Sequence, residues 1–207
     1  MNGTFFYIGL GTGLALASGV RPFLPALLAG ALASGEALGV SFAGHFHFLQ
    51  QGWWLLAVAA ALAAAYAAQL LLGLAPTLDA APGSRRADPL AASLAGLSLG
   101  VGALLFAGTL AAHGDSWWPG ALGGLVIAAL AQRVTAPVIA GARSRLADRA
   151  ARDALTVYAD AVSLLIAALT ALLHPLGYVA VALFAWFAWR QRARAGDKHA
   201  GLRVLRP

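Results

Sequence analysis

The chain of 207 residues has no cysteine, a single methionine and only eight acidic side chains. Without cysteine there is no disulfide framework, no thiolate metal site and no cysteine nucleophile, and thiol usage says nothing about compartment. Charged residues make up 11 % of the chain, against roughly 25 % in an ordinary soluble domain, too few to clothe a water-exposed surface. The opening stretch MNGTFFYIGL has no basic residue, so it lacks the n-region of a secretory signal peptide and is read as the start of a retained span. What remains is apolar: 60 % of the residues are hydrophobic and the mean hydropathy is +0.76.

Runs of about 20 apolar residues, long enough to cross about 30 Å of hydrocarbon as helices, recur along the whole chain. Six are marked off: Phe5 to Ala33, Trp53 to Leu74, Pro89 to Ala112, Pro119 to Ala142, Asp153 to Leu173 and Pro175 to Trp189. They show no barrel-like alternation, and unpaired backbone in lipid costs several kcal/mol per group, so the expected fold class is an all-α integral membrane protein. Basic residues orient it. With six crossings, Arg85, Arg86, Arg143, Arg145, Arg149, Arg152 and the basic residues from Arg190 to Arg206 fall on one face, which the excess of positive charge marks as cytoplasmic. Both termini are then cytoplasmic, in an inner (plasma) membrane crossed several times. Trp53, Trp54, Trp117 and Trp118 fall at the outer interface and Trp186 and Trp189 at the inner one. A rival topology turns Phe5 to Ala33 and Pro119 to Ala142 into re-entrant hairpins.

The stretch SGVRPFLPALLAG sets a permanent charge in the middle of an apolar run. Arg21 with Pro25 recurs as Arg133 with Pro137, both Arg-x-x-x-Pro and displaced by the same 112 positions. Read as a 3+3 inverted repeat, residues 1–112 and 113–190 form two three-helix halves, followed by a basic tail at 191–207. Pro22, Pro25 and Gly19 are expected to break the first helix, and Pro137 the fourth. At about 1.5 Å per residue Arg21 lies about 24 Å along its span, near the midplane, with Arg133 similarly deep. An arginine at a helix centre costs roughly 2.5 to 3.5 kcal/mol to insert. Asp160 is the one carboxylate in the interior of a span, Asp153 standing at the boundary of the same span, and it cannot neutralise both arginines. The positive charge left over, with helix N-termini aimed at the breaks, points to an anionic ligand.

The expected site therefore comprises Arg21, Arg133, Pro22, Pro25, Pro137, Asp160 for charge balance or proton coupling, and Gln69 as a polar liner. The activity would be transport, by carrier or pore, of a small anion or a phosphate-bearing lipid headgroup. Two other readings stay open. The small-residue faces could serve a non-transporting scaffold or a homo-oligomer, with the arginines purely structural. His45 and His47 in GHFHF, on the outer side with His113 and His174, could handle protons or a divalent metal.

Several features point nowhere further. Gly9, Gly11 and Gly13 lack a preceding strand and a P-loop lysine, so they read as close helix contacts rather than a phosphate loop. No nucleophile and base pair up within the spans, so no enzyme and no cofactor are implied. The basic tail has no recognition pattern for nucleic acid and is expected to touch anionic lipid headgroups instead.

GLALASGVRPFLPALLAGALA, Gly13 to Ala33, resembles the opening of an uncharacterised group of bacterial integral membrane proteins known as a domain of unknown function, with a Gly-Leu-Ala-Leu-Ala-x-Gly-x-Arg-x-x-x-Pro first span. APTLDA at Ala75 to Ala80 and VYADAVS at Val157 to Ser163 are similar to later parts of that group. The resemblance implies motif positions at Arg21, Pro22, Pro76, Asp79 and Asp160, and a bacterial membrane. It carries no activity. Acidic residues expected from it stand here as Gln69, Gly73 and Ala159.

Overall fold

A computed structural model describes residues 3–72 and 89–203, and every regular element in them is helical. The order is α1 (Thr4–Val20), α2 (Phe23–Ser34), a 3₁₀ turn (Gly44–Gln50), α3 (Gly52–Leu72), α4 (Pro89–Ala112), α5 (Trp117–Arg145), α6 (Arg149–Leu172) and α7 (Leu176–Arg203). Three helices are long and apolar enough to cross a membrane: Ala92–Ala112, Trp117–Arg145 and Ala150–Leu172. A fourth is added if the 3₁₀ turn and Gly52–Ala68, bent by 55°, count as one span. Large apolar side chains such as Leu56, Leu71, Leu122, Val126 and Leu183 point outward, while alanines, glycines and small polar residues fill much of the interior. That inside-out distribution suits hydrocarbon as the solvent, where tight helix approach rather than hydrophobic burial holds helices together.

α1 is the axis of the bundle. It is apolar on all sides and buried from Gly9 to Val20, as expected of a helix enclosed by others, and it packs against α2, α4, α5, α6 and α7. Its small residues are spent on different neighbours. A methyl at Gly9 would meet the His174 carbonyl at the head of α7, at Gly11 the Phe106 ring of α4, at Gly13 Thr170 of α6, and at Gly19 the backbone of Ala128 in α5. The close-contact reading of the Gly9–Gly19 run is what these approaches display. Gly102 and Gly124 similarly bring α4 and α5 together, whereas Gly96 and Gly100 have nothing within 4 Å.

The first apolar segment breaks where proline and glycine place the break, and the chain then doubles back. Tyr7, near the start of α1, and Leu38, beyond the end of α2, line the same cleft beside His113 and His174. Phe42 lies against Gly108 near the end of α4, and the rings of Phe46 and Trp117 are 6.2 Å apart. α1 and α2 are thus the two arms of a helical hairpin with Arg21 at its tip. α5, by contrast, runs unbroken from Trp117 through Pro137 to Arg145.

Several expectations are corrected by this. The fourth helix is not broken at Pro137: one missing donor is tolerated where neighbours hold the helix, and Gly120, Gly124, Ala128 and Ala131 give α5 a small-residue face buried in the bundle. The first and second halves do not fold alike, because one opens with a hairpin and the other with a continuous span. The start of α1 and the far end of α7 lie at opposite ends of the bundle. The Tyr178 hydroxyl donates to the Phe5 carbonyl at 2.8 Å, tying the start of α1 to the start of α7. α7 then runs the length of the bundle until Gln191 Nε2 donates to the Val134 carbonyl at 3.3 Å. It continues as helix to Arg203.

Candidate functional site

The hairpin tip is built from its two prolines. Pro22 has no N–H to give the Ser18 carbonyl, its i−4 partner, and that carbonyl instead accepts a hydrogen bond from the buried Ser98 hydroxyl of α4. Arg21 takes an extended conformation, φ −153° and ψ 127°, and its N–H closes α1 on Ala17 at 3.0 Å. Pro25 falls in the first turn of α2, where donors have no intrahelical partner in any case. Pro22 and Pro25 therefore shape the turn. Both are buried in protein, the condition under which irregular backbone survives at membrane depth.

The turn delivers Arg21 to Asp160. Arg21 Nε and Asp160 Oδ1 are 3.7 Å apart, an ion pair longer than a hydrogen bond, and the residues are only 6 % and 4 % exposed. The other carboxylate oxygen, Oδ2, accepts from the Tyr66 hydroxyl of α3. Phe23, Leu62, Ala65 and Thr156 complete a cleft of about 10 Å³ around the three, room for about one water molecule. The start of α2 opens on this cleft, so the positive end of its dipole favours the Asp160 carboxylate. Toward the basic end the polar character continues. Thr156 sits one turn before Asp160 on α6, and its hydroxyl accepts from Arg143 Nη2 at 2.6 Å.

Arg133 is elsewhere. It is exposed on α5 and lines a groove shared with α7, beside Gln191 and Arg192. The expected pairing of Arg21 with Arg133 around one anion is not what the helices build, because an unbroken α5 keeps its arginine on the outside of the bundle. Pro137 is likewise exposed on α5, away from the cleft. Asp160 answers one arginine, not two. Gln69 lies in α3 one turn beyond Tyr66, but its side chain, like Gly73, Pro76 and Asp79 entirely, lies outside the described residues.

Tyr66 was missed by sequence reasoning. Its signal was slight: one hydroxyl-bearing ring in the otherwise apolar run from Leu55 to Ala68. His45 and His47 sit exposed on the 3₁₀ turn, with His47 Nδ1 3.3 Å from Gln51 Nε2. Among the described residues no group of three or more His, Cys, Asp or Glu is placed to hold a metal. The outer histidines that do converge are His113 and His174, in a cleft of about 320 Å³ with Tyr7. Tyr7 stacks on His113 with centroids 4.0 Å apart and donates to Asp115 at 2.8 Å. Comparison with family models, with curated proteins and with solved structures finds no match.

Proposed function

We propose that the chain is a membrane transporter for a small anion, with the re-entrant tip as its binding and coupling element. The observation that carries this reading is the buried Arg21–Asp160 pair braced by Tyr66. Ionisable groups at membrane depth are costly and mark ion and proton pathways, and here they meet at a break in a hairpin, the backbone feature from which transporter sites are made. In this conformation Asp160 occupies Arg21. A proton arriving on Asp160, through the Thr156 and Arg143 side, neutralises the carboxylate and frees the guanidinium for an anion. The cleft, at about 10 Å³, is too small here for such an anion, so cargo binding requires the hairpin to move against α3 and α6. The basic ends of α5, α6 and α7 face the cytoplasm, the start of α1 faces outward, and Arg133 has no part in the transport step.

Flux of chloride, inorganic phosphate and acetate into proteoliposomes tests this, with and without an imposed pH gradient. Arg21→Ala is expected to abolish the flux and Asp160→Asn to remove its dependence on the gradient, while Arg133→Ala leaves it unchanged. A parent protein that moves none of these anions, as a scaffold would not, contradicts the proposal.

A further inference from the structure

The groove between α5 and α7 is a second place where charge and apolar surface meet. It encloses about 680 Å³ and opens sideways between two outward helix faces. Leu125, Val126 and Leu130 line one part, and Arg133 and Arg192 another. Both arginines are exposed, and among the described residues neither has a carboxylate partner.

Depth decides what can answer these charges. Arg133 stands 16 residues after Trp117 at the outer end of α5, and Arg192 stands 16 after Leu176 at the head of α7. At about 1.5 Å per residue both Cα atoms lie roughly 24 Å in. From there arginine side chains are long enough to snorkel to the far limit of a roughly 30 Å hydrocarbon layer. There the headgroup phosphates of the basic-end leaflet begin, while Leu125, Val126 and Leu130 remain at acyl-chain depth. Basic pockets between membrane helices on the cytoplasmic side suit anionic lipid headgroups, and the planar forks of two arginines match phosphate oxygens.

We propose that this groove binds one anionic phospholipid from the surrounding leaflet, its phosphate held by Arg133 and Arg192 and an acyl chain laid along Leu125, Val126 and Leu130. The site is independent of the Arg21 cleft and does not rest on the transport reading.

The test uses the purified full chain in phosphatidylcholine nanodiscs, titrated with fluorescent phosphatidylglycerol. Saturation at one labelled lipid per chain is expected. Arg133→Gln with Arg192→Gln is expected to weaken binding about 30-fold, and Arg145→Gln, on the same basic end outside the groove, to leave it unchanged. Leu130→Trp, which fills the groove and keeps both arginines, is expected to abolish binding. Circular dichroism establishes that each variant is folded before its titration is read. Equal loss with Arg145→Gln, unchanged binding in Leu130→Trp, equal binding of labelled phosphatidylcholine, or displacement by millimolar inorganic phosphate would each overturn the proposal.

Discussion

Asp160 has two partners, and removing each has a different consequence. Deleting one member of a buried ion pair strands the other charge, which costs about 3–5 kcal/mol, whereas replacing both by apolar residues of similar volume is often nearly neutral. Arg21→Met and Asp160→Leu are therefore each expected to lower stability in micelles by about 3–5 kcal/mol, and the double variant by much less. Tyr66→Phe removes one hydrogen bond to a charged acceptor and is expected to cost about 1.5–3 kcal/mol. Chemical denaturation followed by circular dichroism measures all four. Additive losses in the double variant would mean that the pair seen at 3.7 Å is not a stabilising unit. At this scale the sequence was informative about which residues are unusual and silent about which meet. Arg21 and Asp160 stood out as charges in apolar runs. Their pairing, and the exclusion of Arg133 from it, depends on which helix faces inward, a tertiary property that Arg-x-x-x-Pro spacing does not encode.

For the elements, one motif had two outcomes. Pro22 ends α1 because it coincides with Gly19 and with a hydroxyl, Ser98, that receives the orphaned Ser18 carbonyl; Pro137 sits inside a helix already locked by its small-residue face. Ser98→Ala is expected to leave that buried carbonyl without a partner and to cost about 1–3 kcal/mol. Gly19→Ala is expected to cost about 1–3 kcal/mol through overpacking against Ala128, and thermal unfolding of both variants in micelles checks this. The turn between α6 and α7 brings a pH dependence. Burial lowers the pKa of His174 from its ordinary value, so the unfolded chain takes up a proton that the folded chain resists. His174 therefore contributes stability above about pH 6.5 that is lost as the pH falls. The melting temperature should drop between pH 7.5 and 5.5, and less so in His174→Gln. Equal slopes for the two proteins would remove His174 from the account.

The molecule as a whole is an all-helical bundle threaded by a hairpin. Hydropathy found most helices to within a few residues, because apolar length is written directly in composition. It could not tell one long helix from a hairpin: Phe5 to Ala33 is long enough to cross, and the contacts of Leu38, Phe42 and Phe46 reveal that the chain turns back. The positive charges gave no warning, since making that one segment re-entrant moves the start of α1 and leaves every loop that carries a basic residue on its original face. The absence of cysteine makes the decisive measurement simple. Single cysteines at Thr4, Ser41 and Ser144, all exposed, can be labelled in intact cells with a membrane-impermeant maleimide. Labelling of Thr4→Cys and Ser41→Cys from outside, with Ser144→Cys protected until the cells are opened, is the result expected of the hairpin. Labelling of Thr4→Cys and Ser41→Cys from opposite sides would mean that the first segment crosses, and the Arg21 tip described here would not exist.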